Sequence, residues 1–125
     1  MVRPTDESFP KGLRIRKRAE YLEIQRSGTA VHGRVLIGIV RRAQGGGTAR
    51  LGITTTRKLG SAVARNRVRR LVREAFRRNR GALPAGADVV VVAKRAAAGS
   101  PAALIADDLL EIGHRAARLL EPARC

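Results

Sequence analysis

Cys125 is the only cysteine in a chain of 125 residues, so a disulfide framework is excluded, and a chain of this length can bury roughly two-thirds of its unfolded surface in a single core without one. The 26 Lys and Arg against 10 Asp and Glu give a formal net charge of +16, the footprint of a nucleic-acid binder. Without an apolar run of about 18 residues or an apolar N-terminal core before a cleavage site, membrane spanning and secretion are set aside, and a soluble, cytoplasmic protein is expected.

Met1 to Lys11 mixes Pro4, Asp6, Glu7, Ser8 and Pro10 without periodicity. It reads as a poorly ordered arm, so we expect an arm over residues 1–12, one domain over 13–121 and a tail at 122–125. From about Lys17 the sequence becomes helical, with Gly28 as its stop signal. Ala19, Leu22 and Ile24 make no clean stripe there. Tyr21 and Gln25 lie four apart and share a face, beside Arg14, Arg16 and Arg18; spacing alone leaves Tyr21 open as a stacking platform or as ordinary core.

Ala30 to Arg42 reads as one strand, rich in β-branched residues. Gln44 to Thr48, with Gly45-Gly46-Gly47, supplies a hairpin loop that returns the chain as a second strand over Ala49 to Thr56. The triple glycine is not a phosphate cradle, because no helix start with Lys-Ser or Lys-Thr follows it.

A cationic turn, Arg57-Lys58-Leu59-Gly60, leads to Ser61, a suitable N-cap, and to a helix over Ser61 to Arg80. At about 100° per residue, Ala64, Val68, Leu71, Val72 and Ala75 share one arc with Phe76 at its edge. The remaining surface carries Arg65, Arg67, Arg69, Arg70, Arg73, Arg77, Arg78 and Arg80 against one acid, Glu74. Surface helices gain from opposite charges three or four residues apart, whereas this one stacks like charges, as in Arg65/Arg69 and Arg69/Arg73. A polyanion that neutralises the repulsion is the physical explanation, and the guanidinium fork suits phosphates and base edges.

Gly81 to Pro84 ends the helix. Asp88 to Ala93, DVVVVA, has the uninterrupted apolar character of a central strand covered on both faces. Ser100-Pro101 opens a last helix with Ile105, Leu109, Ile112, Ala116 and Leu119 on one stripe, and Asp107, Asp108 and Glu111 are expected on its solvated face. The order α-β-β-(β)-α-β-α implies an α+β fold, a two-layer α/β sandwich with helices on one sheet. His32 and His114 have no partners for a metal site. Only 2% of residues are aromatic, which leaves few rings for stacking bases.

The segment RLGITTTRKLGSAVARNRVRRLVREAFR resembles the signature of the bacterial ribonuclease P protein family, in which a strand and a basic turn lead into a helix carrying Arg-Asn-Arg. The resemblance extends from about Leu13 to Leu120 and includes Gly28, Gly33-Arg34 and the DVVVVA strand. It implies a ribosomal-protein-like sandwich with a left-handed crossover around the Arg-Asn-Arg helix, where chain physics favours the right-handed form. It also implies a large catalytic RNA as partner, with which the family removes the 5′ leader of precursor tRNA, the leader lying in a cleft between the first helix and the sheet.

Carried over by position, the catalytic RNA would meet Arg65, Asn66, Arg67, Arg69, Arg70 and Arg73. The leader would meet Tyr21, Gln25, Arg34, Ile39, Arg57 and Lys58. Gln25 and Ile39 stand where the family often has aromatic residues, so stacking is weaker here or replaced by arginine. Phosphodiester cleavage by protein needs carboxylates converging on metal ions, and the basic core holds only Glu74. With the resemblance, the expected cofactors are the catalytic RNA and Mg²⁺ bound mainly by it, with no organic cofactor, no protein catalytic residue, no membrane and no obligate protein partner. The alternative is a ribosomal-type protein that coats ribosomal RNA; a DNA-binding module is weaker still, because no helix-turn-helix spacing is present.

Overall fold

In the computed structural model, which describes residues 15, 18–43, 49–79, 81 and 83–120, the elements run α1 (Arg18–Ser27), β1 (Thr29–His32), β2 (Leu36–Arg42), β3 (Arg50–Thr54), α2 (Ala62–Arg78), β4 (Ala87–Ala93) and α3 (Ala102–Leu120), with 3-10 turns at Arg57–Leu59 and Arg95–Gly99. The expected arm over 1–12, Arg14, Arg16, the glycine loop at 44–48, Arg80 and the tail at 122–125 lie outside the described residues.

The strands form one sheet in the order β1-β2-β4-β3. β4 takes the central place because its valines are apolar on both faces. Val89, Val91 and Ala93 join the main core, while Val90 and Val92 belong to a smaller cluster with Ile15 and Ile24, as period-two alternation requires.

Two expectations are corrected here. The stretch 30–42 is two strands rather than one: β1 and β2 pair antiparallel, with Val31 opposite Gly38, around a turn at Gly33–Val35. Nor do β2 and β3 form a hairpin, since β4 lies between them, antiparallel to β2 and parallel to β3. Adjacency in sequence loses to pairing: a β2–β3 hairpin would leave the valine run at an edge, with one flank of its backbone unpaired.

The α+β class stands. α2 and α3 pack together on one face of the sheet as the two-layer sandwich, and α1 crosses the opposite face. In α2, the Ser61 hydroxyl caps the helix by accepting from the Ala64 N–H. Val68, Val72, Ala75 and Phe76 are buried as the periodicity required, with Ala64 and Leu71 half-buried at the margins. Ile105, Leu109, Ile112 and Ala116 form the buried stripe of α3, but Leu119 is 51% exposed.

Asp108 departs from expectation. It is 4% exposed, not on the solvated face with Asp107 and Glu111, because the main chain of the β1–β2 turn takes up its carboxylate. Asp88 is likewise 1% exposed. Arg50 donates to it from Nε at 2.9 Å and Nη2 at 3.0 Å, and Arg41 approaches to 3.6 Å. Both arginines reach on to α1, Arg50 to Glu20 at 3.0 Å and Arg41 to Glu23 at 3.2 Å. The Asp88 hydrogen bonds above all, opposed by burial and aided by Glu20, hold the Arg50 pKa above its ordinary value. With Ile24 buried and Ala19 and Leu22 exposed, α1 is thus docked by a small apolar cluster and a ring of ion pairs.

Candidate nucleic-acid interface

The arginines of α2 are not equivalent. Arg65 is half-buried and donates to the Gly60 carbonyl at 2.9 Å. Arg67, also half-buried, donates to the carbonyls of Ser100 at 3.0 Å and Ala98 at 3.5 Å, and so ties α2 to the start of α3. Arg69 approaches the Asn66 side-chain oxygen at 3.4 Å, and Glu74 accepts from Arg77 and Arg78. Arg70 and Arg73 are exposed and form no hydrogen bond or ion pair among the described residues. With exposed Asn66 they mark the outward row of the helix, where unneutralised guanidinium groups stand a turn apart.

A cleft of about 440 Å³ opens between α1 and the β3 edge, lined by Arg18, Tyr21, Leu22 and Gln25 on one side and by Ile53, Thr54, Thr55 and Arg69 on the other. Tyr21 belongs to both environments that spacing left open. Its ring lies over Gly52, where a Cβ would come within 2.9 Å of ring atoms, so only glycine permits this approach. Its hydroxyl accepts from the Ile53 N–H at 3.0 Å, which occupies a main-chain donor of the edge strand. The ring therefore packs on the satellite core while lining the cleft.

Of the six candidate leader residues, Tyr21 and Gln25 line this cleft, and Arg57 and Lys58 follow it, exposed, in the first 3-10 turn. Ile39 does not line it; the side chain is half-buried in the satellite core with Ile24. Arg34 is exposed on the β1–β2 turn, in a depression with residues of α3. Because Leu36 pairs with Ala93, and Thr54 with Val92, Arg34, Lys94, Arg95, Arg57 and Lys58 all leave the sheet at the same end. Arg95 is exposed there. Lys94-Arg95 carries no motif, and its one signal in the sequence is a cation pair directly after the apolar strand.

Among the described residues no group of three or more His, Cys, Asp or Glu could hold a metal ion. Most of the described carboxylates are already engaged: Asp88, Glu20 and Glu23 are paired with Arg50 and Arg41, Glu74 with Arg77 and Arg78, and Asp108 with main-chain N–H groups, while Asp107 and Glu111 are exposed on α3.

A free cationic helix row beside a half-apolar cleft, carried on an α+β sheet, has the make-up of a nucleic-acid-binding domain. Comparison with known proteins makes the class specific. Residues 9–117 match the Ribonuclease P family. The ribonuclease P protein component of Desulfovibrio desulfuricans is 43% identical over 115 residues, covering 90% of this chain and 88% of that protein. That of Desulfatibacillum aliphaticivorans is 40% identical over 108 residues, covering 86% and 91%. The solved structure of the RNase P protein from Thermotoga maritima superposes with a TM-score of 0.75 at 33% identity, covering 82% of this chain and 96% of that one. The chain belongs to the ribonuclease P protein family, and thereby to RNA binding in tRNA processing.

Proposed function

We propose that the chain binds the catalytic RNA of ribonuclease P through the outward row of α2 and holds the 5′ leader of precursor tRNA in the adjoining cleft and along the cationic end of the sheet. Arg69 carries this reading: it stands on the Arg-Asn-Arg helix and lines the same cleft as Tyr21 and Gln25, so an RNA on α2 and a strand in the cleft are neighbours. Arg70, Arg73, Asn66 and Arg69 are the contacts to the catalytic RNA, with Arg65 and Arg67 supporting the helix that presents them. Tyr21, Gln25, Arg57, Lys58 and Arg34 face the leader, and Ile39 acts through the packing beneath α1. The ribosomal alternative loses its ground with family membership.

Among the described residues no cluster of carboxylates could hold Mg²⁺: Asp88, Glu20, Glu23, Glu74 and Asp108 already satisfy arginines or amides, while Asp107 and Glu111 stand exposed on α3. In this reading the RNA binds Mg²⁺ and performs the cleavage in the cytoplasm, and the protein contributes charge neutralisation and alignment of the leader. No described helix is long and apolar enough to cross a membrane.

The test is reconstitution of purified protein with catalytic RNA, scored by leader removal and by affinity for precursor against mature tRNA. Protein plus RNA should prefer the leader-bearing form, and protein alone should cleave neither at any Mg²⁺ concentration. Cleavage by RNA-free protein, or equal affinity for both tRNAs, would refute the reading.

A further inference from the structure

The β1–β2 turn is far more tightly held than a chain reversal needs. Asp108 of α3 accepts from three successive main-chain N–H groups, Arg34 at 2.8 Å, Val35 at 3.0 Å and Leu36 at 2.8 Å. Lys94 holds the other side, donating from Nζ to the Gly33 carbonyl at 2.7 Å and from its main-chain N–H to the Val35 carbonyl at 2.9 Å. Gly33 N–H closes the turn on the Leu36 carbonyl at 2.8 Å. Every N–H from Gly33 to Leu36 thus has a partner, and so does every carbonyl but that of Arg34.

Three consecutive N–H groups turned inward form an anion-binding concavity, and here the chain fills it with its own carboxylate. The Val35 and Leu36 N–H groups are buried away from water and need a partner from the protein, whereas the Arg34 N–H is only part-buried. A buried carboxylate is an expensive partner, and what it fixes is the main chain of Arg34, whose side chain alone in the turn projects exposed. Fixing the main chain from which a cation is presented lowers the ordering cost of binding, leaving only the side chain to be ordered. Gly33 belongs to the same device: a Cβ there would lie 2.5 and 2.6 Å from the Asp108 carboxylate oxygens, so the turn and the carboxylate meet only through glycine.

We infer that Asp108 is a positioning residue for precursor recognition: from the far side of the sheet it sets the place of Arg34, and through Arg34 the grip on a phosphate of the leader strand. This rests on the reading of Arg34 as a leader contact.

The experiment is a double-mutant cycle of Arg34→Gln and Asp108→Asn in the reconstituted holoenzyme, measuring affinity for precursor and for mature tRNA. Losing a charged hydrogen bond to phosphate corresponds to roughly a tenfold drop or more. Arg34→Gln should lower precursor affinity about tenfold and leave mature tRNA unchanged; no effect would refute the Arg34 reading itself. Asp108→Asn, which sets an amide N–H₂ against the main-chain donors, should reproduce a loss confined to precursor, and the double variant should be no worse than Arg34→Gln alone. If Arg34→Gln weakens precursor binding while Asp108→Asn does not, or if the two losses multiply, the inference is overturned. Should Asp108→Asn fail to fold, Gly33→Ala perturbs the same contact from the turn, and the same leader-specific, non-multiplying loss is expected. Hydrogen exchange in the unmodified protein adds a check without substitution: the Arg34, Val35 and Leu36 amides should be protected, and rapid exchange would overturn the inference.

Discussion

Replacing Arg70 and Arg73 together by glutamine removes the two guanidinium groups of α2 that have no partner among the described residues. In the free protein the fold should survive and gain slightly. Arg70 repels Arg67 and Arg73 three residues away, Arg73 also repels Arg69 and Arg77, and only Glu74, four residues on from Arg70, attracts; each such pair is worth about 0.2–0.5 kcal/mol. Repulsions outnumber attractions by three, so stability should rise by about 0.6–1.5 kcal/mol. Against RNA the change is large: each phosphate contact contributes about 0.7–0.9 to the slope of log K against log salt, so losing two should flatten it by about 1.4–1.8. Arg67→Gln is the built-in control. Its guanidinium already serves the Ser100 and Ala98 carbonyls, so the slope should hold while stability falls by about 1.5–3 kcal/mol at most, less for its partial exposure. Filter binding of the catalytic RNA across a salt series, paired with urea melts of the free protein, measures both. An unchanged slope for the Arg70/Arg73 variant with native circular dichroism, or a flattened slope for Arg67→Gln with unchanged stability, would refute this division of the helix.

Tyr21→Phe deletes the acceptor of the Ile53 N–H and should cost about 0.5–1.5 kcal/mol in a urea melt, whereas Tyr21→Ala should also weaken precursor binding by up to about 1–3 kcal/mol if a base stacks on the ring, with mature tRNA unaffected. Gln25→Phe should tighten precursor binding, because Gln25 lines the open cleft; a loss of about 1–3 kcal/mol of stability instead would indicate overpacking against an interior. Asp88→Asn leaves Arg50 and Arg41 without their shared buried counter-ion. It should destabilise by no more than the low end of about 3–5 kcal/mol, since both arginines keep some solvent, and should loosen α1 as read by exchange of its amides.

The segments whose identity is written in local pattern were readable from the sequence. The valine run announced a central strand, Ser61 announced its cap, and the apolar arc of α2 followed from the helical period. What escaped was non-local. Nothing within 30–42 says that Asp108, more than seventy residues later, holds its turn, and a carboxylate at that helical position looks the same whether it meets water or a ring of amides. The false hairpin had the same origin, since proximity in sequence stands in for pairing until the competing strand is known. At the site, the arginine side of α2 was visible, but not which guanidinium groups were already bound to carbonyls, because that depends on where the main chain before α3 passes. Tyr21 was ambiguous for a physical reason: it is both a wall of the cleft and a cap on an edge strand.

The order β1-β2-β4-β3 also bears on how the chain reaches this state. β1 and β2 can pair as soon as both exist, since they are joined by a short turn. β3 has no neighbour in the sheet except β4, and β4 follows only after all of α2 has been made. A growing chain therefore carries β3 and the arginine-rich helix for some thirty residues before the strand arrives that anchors both. Such late, long-range closure slows folding and leaves a charged, unpaired segment exposed meanwhile. In this interval cationic repulsion works against collapse, and an RNA able to bind only the closed form would draw the equilibrium toward it.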